Sequence, residues 1–368
     1  MEPIRVLNMF TIMNRGGAET MVMNYYRRLD KSKIQFDFLV HREERGAYED
    51  EIEAMGGRIY RMIPIYPQNF GKYKKMLREF FTQHREYRII HSHMSELGYF
   101  AFREAKAQGV PVRICHAHNA PHGWDLKMVM RNYFKRRMMP YITHMFVCGE
   151  ESGDWLFGSE NRDRFVQMNN AIDAERFRYS PKIEKELRIE LGIEKKFVIG
   201  HVGRFYSQKN HKFLLEIFQA ILKRRPESIL ILIGDGELKE EVEKEAVRKG
   251  IRNHIKFLGV RSDIDRIMQC LDAFVFPSLF EGLGIVLIEA QAAGVRCYTS
   301  KDVVPKEAKV TSLLEYLDLK SSADSWAEDI LRSTKGYKKE DTYDLIAKNG
   351  YDINDNAIWL ETFYEKVE

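Results

Sequence analysis

One pattern constrains this chain more than any other: short runs of β-branched and aromatic residues alternate with longer stretches of helical period. Candidate strands occupy residues 4–10, 35–40, 87–91, 112–116, 144–148 and 165–168. A second series runs through 197–202, 228–233, 255–258, 273–276 and 296–299. Amphipathic stretches lie between them. In Lys209–Arg225, for example, Phe213/Leu214, Ile217/Phe218 and Ile221/Leu222 recur every four residues. Near-continuous apolar strands joined by helices make parallel sheets covered on both faces. The alternation breaks at 179–196, where Ser180-Pro181 and a charged helical stretch precede a fresh strand at Phe197. The expected architecture is therefore α/β, with two Rossmann-like doubly wound halves facing across a cleft, residues 1–178 and 179–351. At 368 residues the chain is long enough for two cores.

Composition narrows the class. The apolar and charged fractions, 44% and 30%, are those of a globular protein, and no apolar run approaches the roughly 18 residues of a membrane span. The start, Met1-Glu2-Pro3-Ile4-Arg5, has no signal-peptide pattern, which leads to the expectation of a cytoplasmic protein. Cys115, Cys148, Cys270 and Cys297 form no CxxC pair and read as buried thiols. Residues 1–178 carry 28 Lys and Arg against 22 Asp and Glu, whereas the remainder is slightly acidic. The excess gathers at Lys72–Arg78 and in Lys127–Met139, where basic residues alternate with Met, Tyr and Phe. That pattern suits a helix resting on an anionic membrane, at the inner face, as well as it suits a solvated helix. A basic helix without a groove-reading motif gives no case for nucleic acid.

Ligands on doubly wound sheets bind beyond the carboxyl ends of the strands, so the loops there carry the chemistry. The segment 276–290 reads strand, tight turn, helix. Gly282 and Gly284 permit close backbone approach, and the helix start offers free N–H groups to phosphate. Glu281 on the loop and Glu289 within the helix can face one elongated ligand. Glu289 sits among Val286, Leu287, Ile288 and Ala290, an awkward setting for an idle charge. The loop after the strand 197–202 supplies Gly203, Arg204 and Lys209, two cations placed where a diphosphate would lie. The bland alternatives are a capping Glu281, a solvated Glu289 and a chance Arg–Lys pair.

Together Gly203-Arg204…Lys209-Asn210, Gly234-Asp235-Gly236, Phe257-Leu258-Gly259 and Glu281…Glu289 resemble, in order and spacing, the family 4 retaining glycosyltransferases. The N-terminal half resembles their capsule and exopolysaccharide branch through Asn14–Glu19, His91-Ser92-His93, Cys115–Asn119 and Asn170–Asp173. The resemblance implies the GT-B fold, with a C-terminal helix, 352–368, crossing back onto the first domain. It implies that Arg204 and Lys209 hold the donor diphosphate and Glu289 the ribose. Glu281 and the amides of Gly282, Leu283 and Gly284 would hold the sugar, and Val260 and Arg261 would flank the base. Gly16 and Gly17 would close over the diphosphate, and His118 would stand beside the reacting sugar. The bland reading of His118 is a satisfied loop or core imidazole, and His91, His93 and Asn119 are weaker candidates for the acceptor side.

The implied activity is retaining transfer of a hexose or N-acetylhexosamine from a nucleotide-diphosphate sugar, with UDP the expected nucleotide. The implied acceptor is a saccharide linked to polyprenyl diphosphate. No cofactor and no metal are expected, because no Asp-x-Asp stands where a metal-dependent transferase would place it. The rivals are a sugar-nucleotide epimerase on the same architecture and a non-catalytic donor-binding subunit. A nicotinamide dehydrogenase is disfavoured, because the first loop offers Gly16-Gly17 in place of G-x-G-x-x-G.

Overall fold

The protein was analysed as a computed structural model that describes residues 2–118 and 127–368. It forms two compact units: one from residues up to Ala171 together with Ile353–Glu368, the other from Ile172–Asp352. The first unit holds β1 (Ile4–Phe10), β2 (Ile34–Val40), β3 (Ile59–Arg61), β4 (Ile89–Ser92), β5 (Val112–Ala117), β6 (His144–Val147) and β7 (Phe165–Gln167). All pair in parallel, in the order β3-β2-β1-β4-β5-β6-β7. The second holds β8 (Phe197–Val202), β9 (Ser228–Ile233), β10 (Ile255–Gly259), β11 (Ala273–Phe276), β12 (Arg296–Ser300) and β13 (Leu314–Leu317), again parallel, in the order β10-β9-β8-β11-β12-β13. Both are Rossmann orders, and each reverses direction beside its first strand. Loops leaving β1 and β4, or β8 and β11, diverge there and open the crevice in which such sheets bind ligands.

Period-two alternation divides each sheet between two cores. In the first, Val6, Ile89, Ile114 and Phe146 pack under the helices Gly17–Arg28 and Ile353–Val367, the latter contributing Ile353, Ala357, Leu360 and Tyr364. Leu7, Ile90, Cys115 and Met145 face the opposite layer, with Tyr73, Leu77, Phe100 and Phe102. In the second, Val198, Ile231, Phe274 and Phe276 pack against Leu287 and Ile288. Ile199, Leu230 and Val275 pack against Leu214, Phe218 and Trp326. Ala174 and Phe177 are buried in the second core, and Ile172 bridges to Asp352, which ties this stretch to the second unit. All four cysteines are buried and free.

The edge strands β3 and β13 went unrecognised in the sequence, being three and four residues long and mostly half-buried. The helix expected from Lys209 begins at His211, because Asn210 turns left-handed (φ 54°) and Ser207–Lys209 form a separate 3-10 turn. Lys209 therefore belongs to the loop, not to the helix. Gly234, just past β9, has φ 134°, and a β-carbon there would lie 2.1 Å from the Gly203 carbonyl oxygen. Gly234→Ala should lower stability by about 2 kcal/mol or more in urea denaturation, through both strain and clash.

Candidate functional site

In the second unit backbone hydrogen bonds lace the loops after four neighbouring strands together. Gly203 N–H donates to the Ile233 carbonyl (2.9 Å) and Gly234 N–H to the Gly259 carbonyl (2.8 Å). Phe205 N–H reaches the Asp235 carbonyl (3.0 Å), and Leu279 N–H the Gln208 carbonyl (2.8 Å). Gln208 returns a bond from its side-chain amide to the Phe280 carbonyl (2.8 Å). These stitches bring Lys209 from one loop against Glu281 from another, Nζ to Oε1 at 2.5 Å. The ammonium also lies 4.4 Å from the centre of the Phe276 ring, at the end of β11. Gly203 leaves room for it, since a β-carbon there would sit 3.2 Å from Lys209 Cε. Burial of such a pair is tolerable when further hydrogen bonds follow. The ammonium still has two N–H donors to offer.

Beside this pair the chain turns through Gly284 (φ 72°) into the helix Ile285–Ala292. The N–H groups of Gly282, Leu283 and Gly284 find no acceptor among the described residues. They are orphan donors at the positive end of a helix dipole, a setting that favours an anion. Glu289, one turn in, is half-buried and its carboxylate has no hydrogen-bond or ion-pair partner among the described residues. Burial pushes its pKa up to about 7, and repulsion from Asp265 adds to the shift. Arg204 stands exposed on the loop after β8. Val260 is exposed beyond β10, while the Arg261 guanidinium folds onto Asp263 (2.7 and 2.8 Å) and leaves its backbone as the free element. The structure thus joins Gly203, Lys209 and Glu281 directly and sets Gly282, Leu283, Gly284 and Glu289 on the adjoining turn and helix. Phe276 and Gln208 were missed in the sequence. In the sequence Phe276 reads only as the end of a strand, and Gln208 carries no charge that marks it.

In the first unit Gly16 caps the helix Gly17–Arg28, and a β-carbon on Gly16 would strike the Glu19 carboxylate, whereas Gly17 has open space around it. Behind them, at the carboxyl ends of β1, β4 and β5, lies a buried row of imidazoles. His91 bonds Tyr364 (2.8 Å) and His116 (3.2 Å), and His93 bonds His118 (2.8 Å) and Asn8 (3.3 Å). His116 and His118 both meet Cys148 Sγ, each at 3.3 Å. Burial drives all four imidazoles toward the neutral form, that of His118 to a pKa of about 4. His91 is 1% exposed with both nitrogens engaged, so the expectation that it lines an acceptor pocket is corrected: it is a core residue. His93, stacked on Phe10 at 4.4 Å, is nearly as buried. Both nitrogens of His118 are likewise engaged, by His93 and by Cys148. Asn119 lies outside the described residues. Two sets, His91/His93/His116 and His116/His118/Cys148, each bring three possible metal-ligand atoms within 4.8 Å of one another.

The raised Glu289 carboxyl makes a prediction. Its folded pKa exceeds the ordinary value, so the fold is favoured while the group is protonated and loses stability as pH rises from about 4.5 toward 7 and above. Glu289→Gln should therefore be more stable than the parent by about 2 kcal/mol at pH 8 and equal to it near pH 4, in thermal or urea unfolding.

Known proteins resemble this chain over nearly its whole length. A family model described as "Glycosyl transferases group 1" matches residues 183–350, and one described as "Glycosyltransferase Family 4" matches residues 15–176. The Bacillus subtilis protein named "Putative glycosyltransferase EpsF" is 37% identical over 369 residues, covering 98% of this chain and 96% of EpsF. A galactosyltransferase of Escherichia coli, named for UDP-Gal and α-D-GlcNAc-diphosphoundecaprenol, is 27% identical over 72% of each chain. Among solved structures, Anabaena HepE in complex with UDP superposes with a TM-score of 0.74 at 17% identity, over 98% of this chain and 94% of that one, a likeness of fold.

Proposed function

This chain belongs to glycosyltransferase family 4, and we propose that it transfers a hexose or N-acetylhexosamine from a UDP-sugar to a lipid-linked saccharide, with retention, in capsule or exopolysaccharide synthesis. The observation that carries this reading is the Lys209–Glu281 pair beside three amides and a Glu289 carboxylate that have no partner among the described residues. A diphosphate would take the two spare N–H donors of Lys209 and the amides of Gly282, Leu283 and Gly284, with Arg204 adding charge. The carboxylate of Glu289 would accept both hydroxyls of a ribose, which stabilises its ionised form. Glu281, already anchored by Lys209, would receive a sugar hydroxyl, and the backbone at Val260 and Arg261 would meet the base. UDP and the diphosphate-lipid acceptor are supported by the name of the E. coli relative, and UDP also by the HepE complex. His118, and with it Gly16 and Gly17, are assigned roles toward the donor on the strength of the family motifs. Since its nitrogens are occupied, His118 would act through a neutral ring and not as an acid or base.

In the proposed reaction the bond from the sugar C1 to the donor phosphate oxygen breaks, and the acceptor oxygen forms its bond on the same face. The leaving phosphate takes the acceptor's proton, while Lys209 and Arg204 stabilise the charge that grows on it. Lys209→Ala should lower kcat by about 100-fold or more, and Glu289→Ala should raise the donor KM, with folding of both variants checked by circular dichroism. Product that forms without an acceptor glycan, or parental kinetics in both variants, would refute the assignment. Anomeric coupling constants of the product report retention or inversion.

We also propose a peripheral membrane contact. No helix among the described residues is long and apolar enough to cross a membrane. On the helix Lys127–Met138, Phe134 and Met138 enter the core, while Val129, Met130, Tyr133, Arg136 and Arg137 share an exposed face. Apolar groups flanked by cations suit an anionic interface. Arg136→Glu/Arg137→Glu should reduce co-sedimentation with phosphatidylglycerol vesicles about 30-fold or more, at roughly 1 kcal/mol per lost cation, and unchanged sedimentation would reject the contact.

A further inference from the structure

We propose that Cys148 is a positioning residue whose thiol proton sets the tautomer of His118, through a buried hydrogen-bond chain of single polarity running from Tyr364 to Asn8. The claim that this matters for turnover rests on the transferase reading above, but the chain itself does not.

The geometry begins with register. Asn8 on β1 pairs with His91 on β4, and His91 shares a face with His93 just past that strand, as His116 on β5 does with His118 just past it. Cys148 follows β6, one step past the pairing of Ala117 with Val147. The contacts then run in one line. They pass from Tyr364 Oη to His91 Nδ1, from His91 Nε2 to His116 Nδ1, from His116 Nε2 to Cys148 Sγ, from Cys148 Sγ to His118 Nδ1, from His118 Nε2 to His93 Nδ1, and from His93 Nε2 to Asn8 Oδ1.

One end fixes every proton. The Asn8 side-chain N–H donates to the Val6 carbonyl (3.4 Å), so the oxygen of its amide faces His93 and can only accept. His93 must therefore carry its proton on Nε2. A neutral imidazole has one donor and one acceptor, so His93 Nδ1 accepts from a protonated His118 Nε2. His118 Nδ1 is then a bare lone pair, and the Cys148 S–H is its donor. The sulfur accepts from His116 Nε2–H, His116 Nδ1 accepts from His91 Nε2–H, and His91 Nδ1 accepts from the Tyr364 hydroxyl. Burial favours neutral imidazoles and a protonated thiol throughout, which is what this arrangement requires. The chain is not a proton wire, because an amide oxygen at its end has no proton to pass on. It is an orienting device, and it explains four buried imidazoles that would otherwise be costly.

Cys148 holds the central place in that device. An alanine leaves His118 Nδ1 without a donor and frees the ring to take the other tautomer, whereas serine can still donate and accept. The test is two-bond 15N–1H correlation of the histidine rings in the full-length protein at pH 7.5, followed by kinetics. The parent should show neutral rings, with His118 protonated on Nε2. Cys148→Ser should keep that pattern and turn over within a few-fold of the parent. Cys148→Ala should show Nδ1-protonated or mixed His118 and a kcat lower by about tenfold, or roughly 1.4 kcal/mol, with little change in donor KM. Nδ1-protonated His118 in the parent, or Cys148→Ala with the parental tautomer and rate, would overturn the proposal. So would stoichiometric zinc bound through His116, His118 and Cys148, because a ligating sulfur is a thiolate with no proton to give. If the parent transfers no sugar, the transferase reading fails while the ring spectra still decide the chain.

Discussion

The site depends on a lysine ammonium held between a carboxylate and a phenyl ring. Lys209 reaches Glu281 and Phe276 only because three conditions meet. Asn210 adopts a left-handed conformation that delays the helix, Gly203 clears the space, and Gln208 ties the two loops together through its backbone and side chain. Each is a local feature with a steric or hydrogen-bonding cause. Their joint effect is a cation fixed in advance, with donors to spare, next to three amides, those of Gly282, Leu283 and Gly284, that precede a helix and have no partner among the described residues. The sheet order supplies the place: β8 and β11 are neighbours in space but leave their loops in opposite senses. Glu289 completes the set at a cost in stability, a half-buried carboxyl that the fold would hold more easily as a neutral group.

Much of this was legible in the sequence, and the limits were physical. β1, β8, β9 and β11 announced themselves with correct ends, because central parallel strands are buried on both faces and read as unbroken apolar runs. The edge strands β3 and β13 did not, since half-burial over a few residues leaves no period to detect. Lys209, Glu281 and Glu289 were legible because charges beside glycine turns and inside apolar helices are costly unless used. Phe276 was not, because an aromatic residue closing a strand has an ordinary packing explanation. His91 is ambiguous for a related reason: a histidine at the end of a strand is as compatible with a core network as with a pocket wall, and only the fold shows both nitrogens engaged.

The two units manage buried polarity differently. In the first, one buried row is paired along its length, although Gln35 Oε1 and Asn170 Oδ1 are buried without a hydrogen-bond partner among the described residues. Its imidazoles, thiol, phenol and amide exhaust one another's donors and acceptors, and the final helix delivers Tyr364 to begin the chain. The second leaves polarity open. The amides of Gly282, Leu283 and Gly284 and the carboxylate of Glu289 have no protein partner among the described residues. Unsatisfied groups gathered at a sheet's switch point are what a ligand-binding surface requires, and satisfied ones are what a positioning scaffold requires.

The central claim is that the second unit recognises a diphosphate through Lys209 and the adjoining helix start. Titration calorimetry with UDP and UMP, on the parent and on Lys209→Ala, tests it most directly. UDP should bind the parent at least about tenfold tighter than UMP, and this advantage should disappear in the variant. Equal affinity for the two nucleotides in the parent, or an advantage that survives loss of the lysine, would contradict it.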